Sequence, residues 1–200
     1  MRDIRINKEP IKGKNHSMSI AGEKEQSVYI YAYRWPGGQE LPSHELLRRA
    51  VSHYLGTEIA KITVCRDEEH GKPYIRELLQ VHFSISHSAD RWACAVSGAE
   101  VGLDLQEARI ADGEKLARRF FHPSEIAWLA ENGFEEFTRL WTCKESYVKY
   151  TGTGLREGLD YFSVVDGSLP VCQQEISFRE GFYMVVTTGE QVPVHLFCED

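Results

Sequence analysis

The chain of 200 residues is 42% hydrophobic and 26% charged, an ordinary composition for a globular protein, and it is long enough for one domain or two small halves with a shared core. Its formal net charge of −7 supplies no overall positive field, and no apolar run reaches the roughly 18 residues of a membrane-spanning helix. We therefore expect neither a nucleic-acid partner nor a membrane partner.

The five cysteines are widely spaced and contain no Cys-x-x-Cys pair, so the sequence predicts neither a zinc site nor a disulfide framework. This pattern indicates reduced thiols and a cytoplasmic protein. Residues 1–26 are polar and lack a clear period, and we expect them to form an N-terminal arm. Their charges are not followed by an apolar stretch, so they do not resemble a signal peptide, and the pattern leaves open whether the chain starts at Met1 or Met18.

The next elements are strands around one helix. Residues 27–35 are rich in β-branched and aromatic side chains, which predicts a strand, and residues 43–56 have an apolar stripe at helical spacing with Ser43 as the N-cap. Two short strands are expected in "KITVCR" and "KPYI". Three more, "VHFSIS", "RWACAVSG" and "VGLDLQ", are joined by short turns and predict an antiparallel meander.

Beyond Glu107 the pattern becomes helical. "GEKLARRFF" and "HPSEIAWLAENG" predict two helices, and a long helix is expected over residues 135–150. Four closing strands are predicted in "GLDYFSVVDG", "VCQQEISFRE", "GFYMVVTTG" and "VPVHLFCED". The order of strands and helices predicts an α+β fold of two similar halves that meet near residues 96–101, although no sequence repeat supports a duplication.

The predicted strand "VGLDLQ" contains a carboxylate between apolar neighbours. Alternate side chains of a strand share a face, so Asp104 and Gln106 point away from the face of Leu103 and Leu105. One interpretation is an edge strand with Asp104 in water. The other is a site for a hard cation such as Mg²⁺, with Asp104 and Gln106 as oxygen ligands and Glu145 as the second carboxylate.

The stretch "LWTCKESYVKYTGTGL", residues 140–155, predicts a helix that runs into two glycines. Residues four apart stack on a helix, so Trp141, Glu145 and Lys149 share one stripe. A solvated pair between Glu145 and Lys149 is one interpretation. The other places both side chains in a polar site on the same face as an inward-facing Trp141.

Three further motifs are weak when taken singly. In "FSISHS" a strand ends in Ser86, His87 and a second serine, which are good phosphate donors, although a single histidine is more often structural. "HGKPY" contains Lys72 in ordinary turn chemistry. "ARRFFHPSE" places two arginines before Glu125, either on a solvated helix face or in a local positive surface on an acidic protein. The cations of that surface would be Lys115, Arg118, Arg119, Lys144, Lys149 and Arg156.

Taken in order, these motifs resemble those of a 4'-phosphopantetheinyl transferase of the Sfp type, in the holo-[acyl-carrier-protein] synthase superfamily. The order is Gly-Lys-Pro, Phe-x-Ile-Ser-His-Ser, Gly-x-Asp-x-Gln, Arg-Phe-Phe-x-x-x-Glu and Trp-x-x-Lys-Glu-Ser-x-x-Lys-x-x-Gly-x-Gly-Leu. The resemblance covers residues 71–165 and is most specific across residues 101–155, whereas the first third of the chain matches only in layout.

The resemblance implies a reaction in which 4'-phosphopantetheine passes from coenzyme A to a serine of an apo acyl or peptidyl carrier protein. Adenosine 3',5'-bisphosphate is left, and Mg²⁺ lies between the pyrophosphate and the protein. The alternatives are a non-catalytic relative that binds coenzyme A or a carrier protein, and a structural protein whose polar residues are all solvated.

The resemblance also implies a pseudo-twofold monomer, in which each half is an antiparallel sheet packed with a long helix and the active site lies between the halves. After the arm of residues 1–26, residues 27–97 would form the N-terminal half, which binds coenzyme A. Residues 98–200 would form the C-terminal half, with the metal and the catalytic residues.

The resemblance also implies roles for individual residues. Asp104 matches a metal-binding aspartate. Glu145 matches the second metal-binding carboxylate and is the candidate base, while Lys149 matches a lysine that faces the pyrophosphate. Glu145 and Lys149 are therefore the predicted catalytic residues. Ser86 and His87 match a phosphate-contacting pair.

Other positions match the family pattern or depart from it. Lys72 matches a lysine near the nucleotide, and Glu125 matches the glutamate that follows Arg-Phe-Phe. Gln106 stands in place of a second acid, so we expect it to bind Mg²⁺ more weakly than a carboxylate would. Ser84 stands where asparagine is frequent. The candidates for a contact with the adenosine 3'-phosphate are Arg48 and Arg49.

Overall fold

The computed structural model describes residues 26–34, 43–66, 73–76, 80–108, 112–154 and 158–199. Within these ranges the chain forms nine β-strands and four α-helices, a mixed α+β fold as the sequence predicts. Apart from Gln26, the predicted N-terminal arm lies outside the described residues, as do Lys72 and Arg156. No helix in these ranges has the length and apolarity needed to cross a membrane.

The strands are β1 (Val28–Arg34), β2 (Val64–Arg66), β3 (Pro73–Ile75), β4 (His82–Ser88), β5 (Arg91–Ser97), β6 (Gly102–Glu107), β7 (Cys172–Glu175), β8 (Phe182–Thr188) and β9 (Val194–Glu199). The helices are α1 (Ser43–Leu55), α2 (Gly113–Phe120), α3 (Pro123–Asn132) and α4 (Phe137–Thr151). A 3₁₀ turn, Phe134–Glu136, replaces the predicted start of the long helix, and another, Ile59–Lys61, follows α1.

The strands form three sheets. β4, β5, β1 and β9 lie in that order in the first sheet, β6, β8 and β7 form the second, and β2 pairs with β3. The prediction of an antiparallel sheet in each half is correct for the second sheet and wrong for the first, because β9 runs parallel to β1. A parallel neighbour needs a long connection, and β9 has one because it reaches β1 from the other end of the chain.

The predicted meander of β4, β5 and β6 is wrong in its third strand. β4 and β5 are antiparallel neighbours, but β6 pairs with β8, with Asp104 opposite Val185. The apolar side chains of β6, Leu103 and Leu105, lie in one buried cluster with Ala95 of β5. Burial of these side chains favours a second sheet stacked on the first over an extension of the first.

Two helices and two sheets form four layers. α1 covers one face of the first sheet in a buried cluster that includes Leu47, Tyr31 and Trp92. The other face of this sheet packs on the second sheet, with Ile30 and Leu103 between them. α4 covers the outer face of the second sheet through contacts with β6 and β8. Each large apolar side chain that is fully buried in these interfaces stabilises the fold by about 1.5–3 kcal/mol.

The predicted strand at residues 158–167 is wrong. This segment follows the end of α4 and packs on it, with Leu159 and Phe162 against Val148. Backbone groups of Phe162 and Val164 bond to buried side chains of α4 and α3 instead of to a neighbouring strand. The apolar residues that suggested a strand are used to cover a helix.

Candidate functional site

The close approach of β6 to α4 places Asp104 beside the helix. A Cβ at Gly102 would collide with the carbonyl oxygen of Ser146 and would lie 2.6 Å from the backbone nitrogen of Tyr150, so this packing requires glycine. Two residues on, Asp104 lies on the same face of β6 and is only 1% exposed. The alternation predicted for β6 is confirmed. β6 is an edge strand of its sheet, but the interpretation that places Asp104 in water is wrong, because its side chain is buried.

Three side chains hold the Asp104 carboxylate. Its Oδ1 atom accepts hydrogen bonds from Ser86 Oγ and from Lys149 Nζ, each at 2.7 Å. Its Oδ2 atom accepts one from Gln106 Nε2 at 3.2 Å. An isolated charge at this depth would be costly, and these bonds, one of them from an ammonium group, stabilise the ionised carboxylate.

Glu145 lies one turn before Lys149 on α4 and is bonded differently from Asp104. Its Oε1 atom is buried, and no residue in the described part of the chain bonds to it. Burial raises the pKa of Glu145, and the nearby Asp104 carboxylate raises it further, whereas the Lys149 ammonium acts in the opposite direction. A solvated pair between Glu145 and Lys149 does not fit this arrangement, because Lys149 bonds to Asp104 and Glu145 is half-buried.

The same residues fit a hard divalent cation. The carboxylates of Asp104 and Glu145 carry two negative charges against the single positive charge of Lys149, and one oxygen of Glu145 is buried without a partner in the described ranges. Gln106 bonds to Asp104 through its amide nitrogen, which leaves its amide oxygen as a further ligand. Mg²⁺ usually takes one or two carboxylates and completes its shell with water and phosphate oxygens. Among the described residues, no three His, Cys, Asp or Glu side chains are grouped to hold a metal.

A cavity of about 290 Å³ opens beside Glu145 and Lys149. It is lined by Pro73, Phe83, Ser84, Ile85, Glu145, Val148, Lys149, Gly152 and Gly154. Gly152 and Gly154 have φ angles of 71° and 67°, which glycine adopts readily, so the chain turns after α4 as the sequence predicts. The cavity therefore has one charged end and a largely apolar wall between β4 and α4.

Trp141 anchors the start of α4, as its predicted inward orientation requires. Its ring lies 5.8 Å from that of Phe137 and 6.3 Å from that of Phe121, centre to centre. The stripe of Trp141, Glu145 and Lys149 therefore joins a packed aromatic end to the polar end of the cavity.

Ser86 and His87 point to opposite sides of β4. Ser86 is buried, and its hydroxyl lies between the Asp104 carboxylate and the backbone N–H of Leu105, whereas His87 is exposed. The structure brings Ser86 to Asp104, and the lining of the cavity does not include His87. The phosphate contacts of both residues remain predictions.

The other predicted nucleotide contacts belong to the first half of the chain. Lys72 lies outside the described residues, and Pro73, its neighbour in sequence, lines the cavity. Arg48 donates to two carbonyl oxygens at the 3₁₀ turn after α1, at 2.9 and 3.0 Å, and so holds that turn in place. Arg49 is exposed.

Glu125 and Lys144 form a buried ion pair that sequence reasoning missed. Lys144 Nζ lies 2.6 and 2.8 Å from the two carboxylate oxygens of Glu125 and 2.7 Å from the carbonyl oxygen of Phe162, and neither charged residue is exposed. Glu125 also accepts bonds from the backbone N–H groups of His122 and Val164. The prediction of Lys144 as a surface cation is wrong. The spacing from His122 to Glu125 was the available signal, because a glutamate three residues after an N-cap bonds back to the helix start.

Three of the predicted surface cations lie on α2 and are exposed. Arg118 bonds to Glu114 of the same helix at 2.7 Å. The Arg119 guanidinium lies 4.9 Å from the centre of the Phe120 ring, and Lys115 is exposed beside them. This part of the predicted positive surface is therefore present on α2.

Comparison with known proteins relates the chain to one enzyme family. A model of the 4'-phosphopantetheinyl transferase superfamily matches residues 100–192. The chain is 34% identical over 151 residues to a 4'-phosphopantetheinyl transferase of Bacillus subtilis, an alignment that covers 73% of this chain and 66% of that protein. It is 35% identical over 144 residues to 4'-phosphopantetheinyl transferase gsp of Aneurinibacillus migulanus, covering 70% of this chain and 59% of that protein.

A third relative is covered over more of its length. The chain is 31% identical over 177 residues to 4'-phosphopantetheinyl transferase psf-1 of Bacillus pumilus, covering 78% of this chain and 75% of that protein. The first two alignments span 66% and 59% of the relatives, less than two thirds of each. The superfamily match includes Asp104, Glu145 and Lys149 but not Ser86.

Proposed function

Because the chain belongs to the 4'-phosphopantetheinyl transferase superfamily, we propose that it transfers 4'-phosphopantetheine from coenzyme A to a serine hydroxyl of an apo acyl or peptidyl carrier protein. The products are holo carrier protein and adenosine 3',5'-bisphosphate. The observation that carries this proposal is the pair of carboxylates, Asp104 and Glu145, beside Lys149 at the charged end of a cavity.

The reaction requires little covalent chemistry from the protein itself. The serine oxygen bonds to the phosphorus that carries the pantetheine arm, the bond from this phosphorus to the bridging oxygen breaks, and the serine proton leaves to a base. Phosphoryl transfer of this kind depends mainly on positioning and on charge neutralisation. A bound Mg²⁺ would supply positive charge to the pyrophosphate, and Asp104, Glu145 and Gln106 are the residues that would hold it.

The remaining roles follow from the positions of the side chains. Lys149 offers an ammonium group that bonds to Asp104 and has further N–H groups for the pyrophosphate. Glu145 is the candidate base, since it lines the cavity and has a buried oxygen without a partner among the described residues. Lys72 and His87 are the proposed contacts of the nucleotide phosphates. A phosphate contact of the Ser86 hydroxyl would have to displace its bond with Asp104.

The proposal includes the organisation of the chain. Residues 27–97 would be the half that binds coenzyme A, residues 98–200 the half with the metal and catalytic groups, and residues 1–26 an arm. An outer helix on each main sheet, α1 and α4, supports a pseudo-twofold pair, although β9 crosses into the first sheet. A cytoplasmic monomer is part of the same proposal, and the five cysteines are thiols rather than disulfides.

The alternative is a relative that binds coenzyme A or a carrier protein without turnover. Gln106 in place of a second acid favours this alternative, whereas Asp104, Glu145 and Lys149 favour the transferase. Incubation with coenzyme A, Mg²⁺ and an apo carrier protein, followed by mass spectrometry of the carrier, separates the two. We expect the carrier to gain the mass of one phosphopantetheine group, and a carrier whose acceptor serine is replaced by alanine to gain none. Coenzyme A binding without any mass gain would establish the alternative.

A further inference from the structure

Three serines of β4 bond to the backbone of β6. Their hydroxyl oxygens accept hydrogen bonds of 2.9–3.1 Å from three N–H groups. The pairs are Ser84 with Leu103, Ser86 with Leu105 and Ser88 with Glu107. Donors and acceptors are each two residues apart, which is the repeat of a strand. We call this set the serine ladder, and it joins the edge of the first sheet to the edge of the second.

The serine ladder satisfies three backbone N–H groups along one edge of β6. The other edge pairs with β8 through backbone hydrogen bonds, whereas β4 belongs to a different sheet. Buried N–H groups without a partner destabilise a fold, so hydroxyl oxygens take the place that carbonyl oxygens hold between paired strands. The position of β6, and of the carboxylate it carries, therefore depends on side chains of β4.

Ser86 differs from the other members of the serine ladder because it also bonds to a carboxylate. It is 5% exposed, accepts from the Leu105 N–H at 3.1 Å and donates to Asp104 Oδ1 at 2.7 Å. A serine hydroxyl has one proton, and this proton is used on Asp104. The hydroxyl therefore has no second proton to donate to a phosphate oxygen while this bond exists.

The Asp104 carboxylate is nearly saturated by the side chains around it. A carboxylate has about four lone-pair sites. Three hydrogen bonds, from Ser86, Lys149 and Gln106, use three of them. The direction of the Ser86 bond thus helps to decide which lone pair faces outward.

We infer that Ser86 is a positioning residue, which orients Asp104 toward a bound divalent cation through its hydroxyl and does not contact phosphate. The contact itself is independent of the proposed function, and its purpose rests on that function. Partners that orient a metal ligand typically change metal affinity by 10–100-fold when they are removed.

Ser86→Ala and Ser88→Ala form a matched pair for the test. Each removes one hydroxyl from the serine ladder, but only Ser86→Ala removes a bond to Asp104. Binding of Mn²⁺, as a spectroscopic substitute for Mg²⁺, is measured by electron paramagnetic resonance in the presence of coenzyme A and without a carrier protein. We expect Ser86→Ala to weaken Mn²⁺ binding roughly tenfold or more, and Ser88→Ala to leave it unchanged. Ser86→Thr retains a hydroxyl and should restore binding.

A phosphate contact predicts the opposite pattern. The dissociation constant of coenzyme A would then rise in Ser86→Ala, with Mn²⁺ binding as in the wild type. The proposed phosphate contact of His87 predicts the same rise for His87→Ala. That result would overturn the inference. In transfer assays, we expect Ser86→Ala to lower kcat at limiting Mg²⁺ with little change in the KM for coenzyme A.

A double-mutant cycle in chemical unfolding tests the contact without any ligand. We expect Ser86→Ala and Asp104→Asn to be non-additive, with the double variant less destabilised than the sum of the single variants. Additive effects would also overturn the inference. If the wild type fails to modify any carrier protein while the Mn²⁺ and unfolding results hold, the proposed function fails and the role of Ser86 stands.

Discussion

Lys149 Nζ donates a 2.7 Å hydrogen bond to Asp104 Oδ1 and so connects α4 to β6 across 45 residues of sequence. The bond places an ammonium group between β6 and the helix that carries Glu145, whose pKa is raised by burial and by Asp104. The Lys149 ammonium lowers the electrostatic repulsion between the two carboxylates.

Removal of either carboxylate should nearly abolish transfer. Asp104→Ala and Glu145→Ala each take one negative ligand from a cation that has few protein ligands. The rate of holo carrier formation is measured over a range of Mg²⁺ concentrations, with circular dichroism as the control for folding. Wild-type turnover of Asp104→Ala at low Mg²⁺ would show that the metal site is assigned to the wrong residues.

Gln106→Glu should retain activity and tighten Mg²⁺ binding. In the metal-free protein the added carboxylate repels Asp104 and loses the 3.2 Å bond that Gln106 donates to it, so we expect a lower Tm. A bound cation reverses this repulsion, and the increase in Tm on addition of Mg²⁺ should exceed that of the wild type. Equal increases in the two proteins would argue that position 106 does not face the metal.

The buried pair of Glu125 and Lys144 should dominate the stability of the second half. Replacing Lys144 with Met leaves Glu125 buried without its cation, and loss of one partner of a buried ion pair costs about 3–5 kcal/mol. The double change of Glu125→Gln with Lys144→Met should recover part of that loss, because no uncompensated charge remains. Arg118→Ala, which breaks an exposed pair with Glu114, is the matched surface control and should change the free energy of unfolding by less than about 1 kcal/mol. Urea unfolding of the four proteins measures these differences.

Thiol reactivity should separate the buried Cys94 and the partly buried Cys143 from the exposed Cys198. Burial raises the pKa of Cys94 far above its ordinary range and raises that of Cys143 to about 12, so both remain protonated near neutral pH. Iodoacetamide at about pH 8 should modify Cys198 first, the partly buried Cys143 more slowly, and Cys94 only after urea is added. Because their folded pKa values are raised, these two thiols contribute stability that is complete below the unfolded pKa of about 8.5 and is lost progressively above it. Peptide mass mapping identifies the modified cysteines. Rapid modification of Cys94 in the folded protein would contradict the prediction that its thiol is protected by burial.

Local patterns predicted the elements that their own residues determine. The alternation of Leu103 and Leu105 with Asp104 follows from the repeat of two in a strand, and the stripe of Glu145 and Lys149 follows from the helical repeat. Both hold in the structure because the two faces of β6 and the inner face of α4 are each buried against a different layer. The alternation in β6 and the shared face on α4 were therefore accessible from residue spacing, whereas the family was identified from the order of the motifs, and the roles of these residues remain predictions.

The features that escaped prediction depend on partners far away in sequence. Lysine is usually found at solvated positions, so the sequence gives no sign that Lys144 is buried. Its burial becomes clear only from its contact with Glu125, 19 residues away. The parallel pairing of β9 with β1 joins the two ends of the chain within one sheet, and the serine ladder joins two separate sheets. Both therefore depend on contacts between distant segments. The hydrogen bond from Ser86 to Asp104 also depends on a distant partner, because it joins β4 to β6 across 18 residues of sequence.

The last prediction concerns the carrier protein, which usually presents an acidic helix beside its acceptor serine. With a net charge of −7, this chain repels such a partner at long range, so docking requires a local positive surface, and Lys115, Arg118 and Arg119 of α2 supply one. Arg118→Glu and Arg119→Glu should therefore weaken carrier binding and leave coenzyme A binding intact. Arg118 is already bonded to Glu114, so its reversal should matter less than that of Arg119.

Each exposed charge contact is worth about 0.2–1 kcal/mol, and the effect should appear mainly in the association rate and decrease with salt. Stopped-flow binding of an apo carrier at low and high salt measures it, with Lys61→Glu, on the 3₁₀ turn of the first half, as the matched control. The two α2 variants should associate more slowly than the control at low salt and converge with it at high salt, because screening removes the contribution of the charge. Association rates at low salt that match the control in both variants would place the docking surface elsewhere than on α2.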